Sequence, residues 1–226
     1  MWATEPLYPQ IKGEFIMKKA FTVLVVFALI FLAACSAEND GTVYAYVNGE
    51  AVTSDEIDYF KLRFRSEIIN EYSAKYGVTD YADFWETEYD GKTPSAALEE
   101  KAFDEAVSAK IKLILMRKNG IYADIGFASL KALTEEYNAQ HANNKKTVGI
   151  LTIDLESFYT YYISTGEMEL KNILAEGELK PSQAEIYSVM EENDGLTEAG
   201  AAKMIVEEKY PAYIETFIGK AEIERG

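Results

Sequence analysis

The chain has little of what most catalytic and cross-linked proteins depend on: one cysteine, one histidine and five prolines in 226 residues. A single cysteine cannot close a disulfide within the chain, so the fold must be held by its core. The only imidazole, His141, stands beside Asn143, Asn144, Lys145 and Lys146. It reads as the surface end of a helix rather than a base or ligand, although imidazole titrates near neutrality. Cations are scarce as well, with 22 lysines and arginines against 38 aspartates and glutamates and a formal net charge of −16. That deficit argues against nucleic acid, whose phosphates are met by Lys and Arg, and against charge-driven docking on anionic lipid. No nucleophile–base pair, phosphate-binding glycine loop or metal-ligand spacing is present, so the residues imply no enzyme, no cofactor and no metal site.

Long apolar runs are absent too, with one exception. Met17-Lys18-Lys19 is a short positive region, and Ala20 to Leu32 is uninterrupted apolar sequence. That run falls short of the about 20 residues of a membrane-spanning helix and has the size and flanks of a secretory signal. Leu32-Ala33-Ala34-Cys35 then matches the lipobox of bacterial lipoproteins, in which the thiolate carries diacylglycerol before cleavage. The expectation is a protein lipidated on Cys35 and held on the extracytoplasmic face of the cell membrane. Residues 1–16 read as translated leader, 17–34 as the lipoprotein signal peptide, and 35–42 as a small, polar tether. Three lysines and two glutamates precede Cys35, so the processed chain is more acidic still.

Residues 43–226 read as one mostly α domain. Val43–Val47 alternates as a strand does, and Asn48-Gly49 is a turn signal. Thr53-Ser54-Asp55-Glu56 is a capping box with Val52 and Ile57 as its staple. Ile57, Phe60, Phe64, Ile68 and Tyr72 share one helical face that ends at Gly77. A loop follows, with a turn at Asp90-Gly91. Thr93-Pro94 opens a second helix, striped by Leu98, Ala102, Ala106, Ala109, Leu113 and Met116 and closed at Asn119-Gly120. A third helix is expected across 127–142, with Leu130, Leu133 and Tyr137 inward, and a strand across Thr147–Ile153. A long helix is expected from Asp154 to Glu176, then a capping box at Ser182–Glu185 and a short helix ending by Asn193. More helix runs to Ile218, interrupted near Pro211, which lacks an amide. The closing segment 221–224 is expected to pair with Val43–Val47, giving one or two short terminal strands.

Several of these landmarks, in this order, resemble the chaperone domain of the SurA/PrsA/trigger-factor family. Val47-Asn48-Gly49-Glu50 with Val52-Thr53 is similar to the family's opening segment. Phe84-Trp85, Asp90-Gly91 and Thr93-Pro94 resemble its Firmicute lipoprotein members. Ala106 to Ile121, Leu179 to Asn193 and Lys209-Tyr210 through Ile223 are similar to its later helices and closing run. Met190 departs from the family's usual tyrosine. Many relatives also carry an inserted parvulin prolyl isomerase, for which there is no room after Asn193, and the resemblance does not bring isomerase activity with it.

The resemblance implies a SurA/PrsA N-terminal-like helical domain acting as a membrane-tethered holdase for unfolded or secreted polypeptides, without catalysis. The alternative is a lipoprotein dedicated to one extracellular partner, and prolyl isomerisation is a third and weaker reading. Candidate polypeptide-binding residues are aromatic: Phe84, Trp85, Phe158, Tyr159 and Tyr162. Tyr and Trp bury apolar area while offering a hydrogen bond, although the ordinary reading of any single one is core or a lone surface ring. Asp80, Asp83, Glu86, Glu88 and Asp90 lack calcium-loop spacing and read as a solvated acidic loop.

Overall fold

The computed structural model describes residues 41–142 and 152–226. Its first turn requires two residues in the left-handed region, Asn48 (φ 51°) and Gly49 (φ 80°). That geometry suits a two-residue hairpin, and it joins β1 (Val43–Val47) to β2 (Glu50–Thr53). β3 (Ile223–Arg225) lies on the other side of β1, so the antiparallel order is β2-β1-β3. Val47 faces Ile223 and Tyr46 faces Glu224. Asn48 fastens this junction, its amide donating to the Glu222 carbonyl and its side-chain oxygen accepting from the Glu222 amide, both at 2.8 Å. The expected pairing of the two ends is therefore present. β2 is an addition, because a four-residue strand running directly into a helix cap carries almost no periodicity of its own.

Thr53 caps α1 (Ser54–Tyr76), its side chain accepting from the Glu56 amide at 3.3 Å. The box does not close as expected, because the Glu56 side chain turns inward to Lys110. Val52 and Ile57 are both fully buried. Gly77, at φ 67°, ends the helix by donating to the Ser73 carbonyl. Its position requires glycine or a strained substitute.

α2 (Pro94–Lys118) is the central helix, and every member of its expected stripe is buried. α1, α4 (Leu155–Glu176) and α6 (Glu198–Ile218) pack around it. α3 (Phe127–Ala142) leans on α4 and buries Leu130, whereas Leu133 is 39% exposed and does not point inward as expected. Residues 143–151, which include most of the expected strand at 147–153, lie outside the described residues. Thr152 and Ile153 are not in a strand. α5 (Gln183–Glu192) opens with the expected capping box, packs on α6 and buries none of its residues.

Pro211 does not interrupt α6. It sits on the exposed side, where the carbonyl it leaves without an amide can face water. Val206, Tyr210 and Ile214 hold the opposite side of the same turns in the core. Tertiary burial outweighs the local penalty of a proline.

Candidate polypeptide-binding surfaces

Asp154 caps α4 by accepting from the Ser157 amide at 2.7 Å, and the first turns of that helix are crowded with rings. Consecutive side chains on a helix point in different directions, so the four rings separate. Phe158 and Tyr159 are buried, Tyr162 is half-buried and Tyr161 is 60% exposed.

Tyr159 enters the core between α1 and α3, with ring centroids 4.9 Å from Tyr59, 5.8 Å from Phe60 and 6.3 Å from Phe127. Its hydroxyl has no hydrogen-bond partner among the described residues. Burial, followed by the nearby Glu56 carboxylate, pushes its phenol well above the ordinary tyrosine value. Tyr162 stacks on Tyr122 at 3.9 Å, and the Tyr122 hydroxyl donates to the Tyr162 carbonyl at 2.7 Å. Desolvation, with smaller contributions from Tyr122 and Asp124, pushes the Tyr162 phenol up to about 12. Phe158 lies beside Tyr137, which stacks on His141 at 4.0 Å. His141 is turned back on its own helix, with Nδ1 2.7 Å from the Tyr137 carbonyl.

Phe84 and Trp85 belong elsewhere. The loop between α1 and α2 builds a second apolar cluster from Ile68, Tyr72, Phe84 and Leu98, in which Phe84 is 1% exposed. Trp85 is half-buried at its edge, with the Arg65 guanidinium 4.3 Å from the ring and the Trp85 carbonyl accepting from the Ser95 amide. It borders an open groove of about 550 Å³ that also carries Leu62, which is 77% exposed. The structure thus divides the five aromatic candidates into two sets, one at the start of α4 and one in the loop before α2.

Between α1, α2 and α4 lies a smaller cleft of about 220 Å³, floored by Phe60, Tyr159 and Ile163. Arg63 spans it from α1 to the Thr160 hydroxyl of α4 at 3.3 Å, and Lys112 pairs with Glu167 at 2.8 Å. These charges were not among the sequence candidates. The register held a signal for them, since Arg63 is one turn beyond Phe60 at the margin of the apolar face. Lys110, between Ala106 and Leu113 in the buried stripe, was legible in the same way.

The acidic loop makes ordinary local contacts: Asp90 accepts from the Tyr76 hydroxyl at 2.9 Å and pairs with Lys75 at 3.5 Å. Among the described residues no group of three His, Cys, Asp or Glu could hold a metal, and no helix is long and apolar enough to cross a membrane.

Among known proteins, the chain is similar to a chaperone for lacto-N-biosidase from Bifidobacterium longum subsp. longum, with 29% identity over 127 residues. The aligned part covers 53% of this chain and 44% of that protein, so the match spans less than half of the relative. The relative is named as a chaperone for an enzyme. No family model matches the chain, and no solved structure matches it.

Proposed function

We propose that this protein is a non-catalytic chaperone of the extracytoplasmic face, tethered by lipid on Cys35 and serving one exported client or a narrow set of them. The observation that carries this reading is the similarity to a chaperone whose own name ties it to a single enzyme. It moves the balance from the general holdase toward the dedicated partner. The resemblance of the landmark segments to SurA/PrsA-type domains supports the same class of function. The strongly acidic composition suits the role, because net charge keeps a complex with an apolar chain soluble.

Cross-linking in membranes of the producing cell, followed by coexpression of each captured candidate with and without this protein, tests the reading. A dedicated chaperone raises the soluble, active yield of one captured client and leaves unrelated exported enzymes unchanged. A yield that does not depend on this protein for any client rejects the proposal. Equal protection of many unrelated chains returns the function to a general holdase. The tether is tested separately: Cys35→Ala abolishes incorporation of labelled fatty acid if the lipobox reading is right.

A further inference from the structure

The cleft between α1, α2 and α4 joins three helices of the core. Its floor is apolar, and two polar bridges cross it seven residues apart on α4, at Thr160 and at Glu167. That interval is about two helical turns. Drug-sized ligand sites run to about 300–1,000 Å³, so a cleft of about 220 Å³ suits a single side chain better than a whole small molecule.

The walls narrow the choice further. Arg63 is a cation in a very acidic protein, yet among the described residues it hydrogen-bonds the hydroxyls of Tyr59 and Thr160 and lies 6.0 Å from the Phe64 ring rather than pairing with a carboxylate. Glu105, on the α2 wall, likewise makes no ion pair among the described residues. An anionic ligand would be repelled by Glu105 and a cationic one by Arg63. A neutral group that needs both a donor and an acceptor satisfies both walls. The peptide unit is such a group, with one carbonyl and one amide per residue.

We propose that this cleft anchors an extended client segment, taking one aliphatic or aromatic side chain onto Phe60, Tyr159 and Ile163. Arg63 receives a backbone carbonyl of the segment and Glu105 a backbone amide. The inference rests on the chaperone part of that reading and names the site at which it operates. A cleft that takes one side chain and the backbone around it is sequence-tolerant, so the choice of client lies in surfaces outside it and an unrelated unfolded chain probes it.

The test uses the full chain in lipid nanodiscs with labelled isoleucine methyl groups. The probes are reduced, carboxymethylated α-lactalbumin and a capped Gly-Ser peptide carrying one Leu or Phe. The Ile163 methyl signal shifts saturably with either probe, while that of Ile223, exposed on β3, does not move. Ser108→Trp, which fills the cleft from α2, weakens binding at least tenfold. Arg63→Met and Glu105→Met, which remove the donor and the acceptor outright, each weaken it about three- to tenfold, the range of a single lost hydrogen bond. Tyr187→Ala on α5 leaves it unchanged. Binding of α-lactalbumin with Ile163 unmoved overturns the cleft and places the site elsewhere, with the Trp85 groove next, while the chaperone reading stands. No binding of either probe also overturns the cleft, and the dedicated-client reading is then decided by the cross-linking experiment. The methyl readout needs no substitution, so a variant that fails to fold does not blunt the test.

Discussion

The Lys110 ammonium lies 3.0 Å from the Glu56 carboxylate, and both side chains are 1% exposed. α1 and α2 are therefore joined at their cores by charge as well as by apolar packing. Removing one member of a buried pair strands the other and typically costs about 3–5 kcal/mol, whereas replacing both by apolar groups is often neutral. Lys110→Met should lower stability by about that amount in urea unfolding, and Glu56→Leu combined with Lys110→Met should recover most of the loss. A double variant as unstable as the sum of the singles would show that the two residues act independently.

Gly166 is buried where α4 passes α2. A methyl group there would lie 2.6 Å from Sδ of Met116 and 2.7 Å from Cε2 of Tyr122. Tyr122 cannot swing aside freely, because its ring stacks on Tyr162 and its hydroxyl is bonded to the Tyr162 carbonyl. Gly166→Ala should therefore destabilise the fold by about 1–3 kcal/mol, as overpacking does, despite the better helix propensity of alanine. Thermal unfolding checks the sign, and a stabilised variant would mean that the tyrosine pair is looser than its geometry.

Local chemistry was the legible part of this fold. The caps at Thr53, Thr93 and Ser182 and the termination at Gly77 follow from residues within one turn of the feature they set. The pairing of β1 with the closing segment was legible because both strands flank an otherwise helical body. Where long-range packing decides, the pattern ran out. Pro211 stays helical because Tyr210 and Ile214 are buried by other elements, and Leu133 faces water because α3 buries only a narrow face. The candidate aromatics were identified as rings, but their division between the α4 start and the Phe84 cluster depends on where the loop before α2 folds. The Arg63 and Glu105 walls belong to different helices, and their juxtaposition has no signature within either one.

Asn138 makes a two-point clamp on the backbone that leads into α4. Its Nδ2 donates to the Ile153 carbonyl at 2.8 Å, and its Oδ1 accepts from the Ile153 amide at 2.7 Å. Asn138→Asp keeps the acceptor but loses the donor, and Asn138→Leu loses both. At about 0.5–1.5 kcal/mol per bond, the aspartate variant should be the milder. Hydrogen exchange at the Ile153 amide gives a local readout: protection should persist in Asn138→Asp and vanish in Asn138→Leu.

Glu185 carries the acid sensitivity of α5. The Lys209 ammonium, 2.6 Å away, and the hydrogen bonds of the Ser182 cap hold its carboxyl at about 2, below the ordinary 4.5. Its pKa is lower in the folded state than in the unfolded chain. Its stabilising contribution is therefore complete above about pH 4.5 and is lost as the pH falls toward 2. The group is solvent-exposed, so salt should weaken the Lys209 contribution. Because α5 buries no residue of its own, this cap and ion pair matter more to it than they would to a core helix. The α5 amide signals should move toward coil values between pH 4.5 and 2, ahead of those of α2. Glu185→Gln keeps a side chain able to reach the cap but has no proton to gain. It should abolish the transition in that window while leaving α5 less well held at neutral pH. If the wild-type transition persists in this variant, a different carboxylate controls the helix.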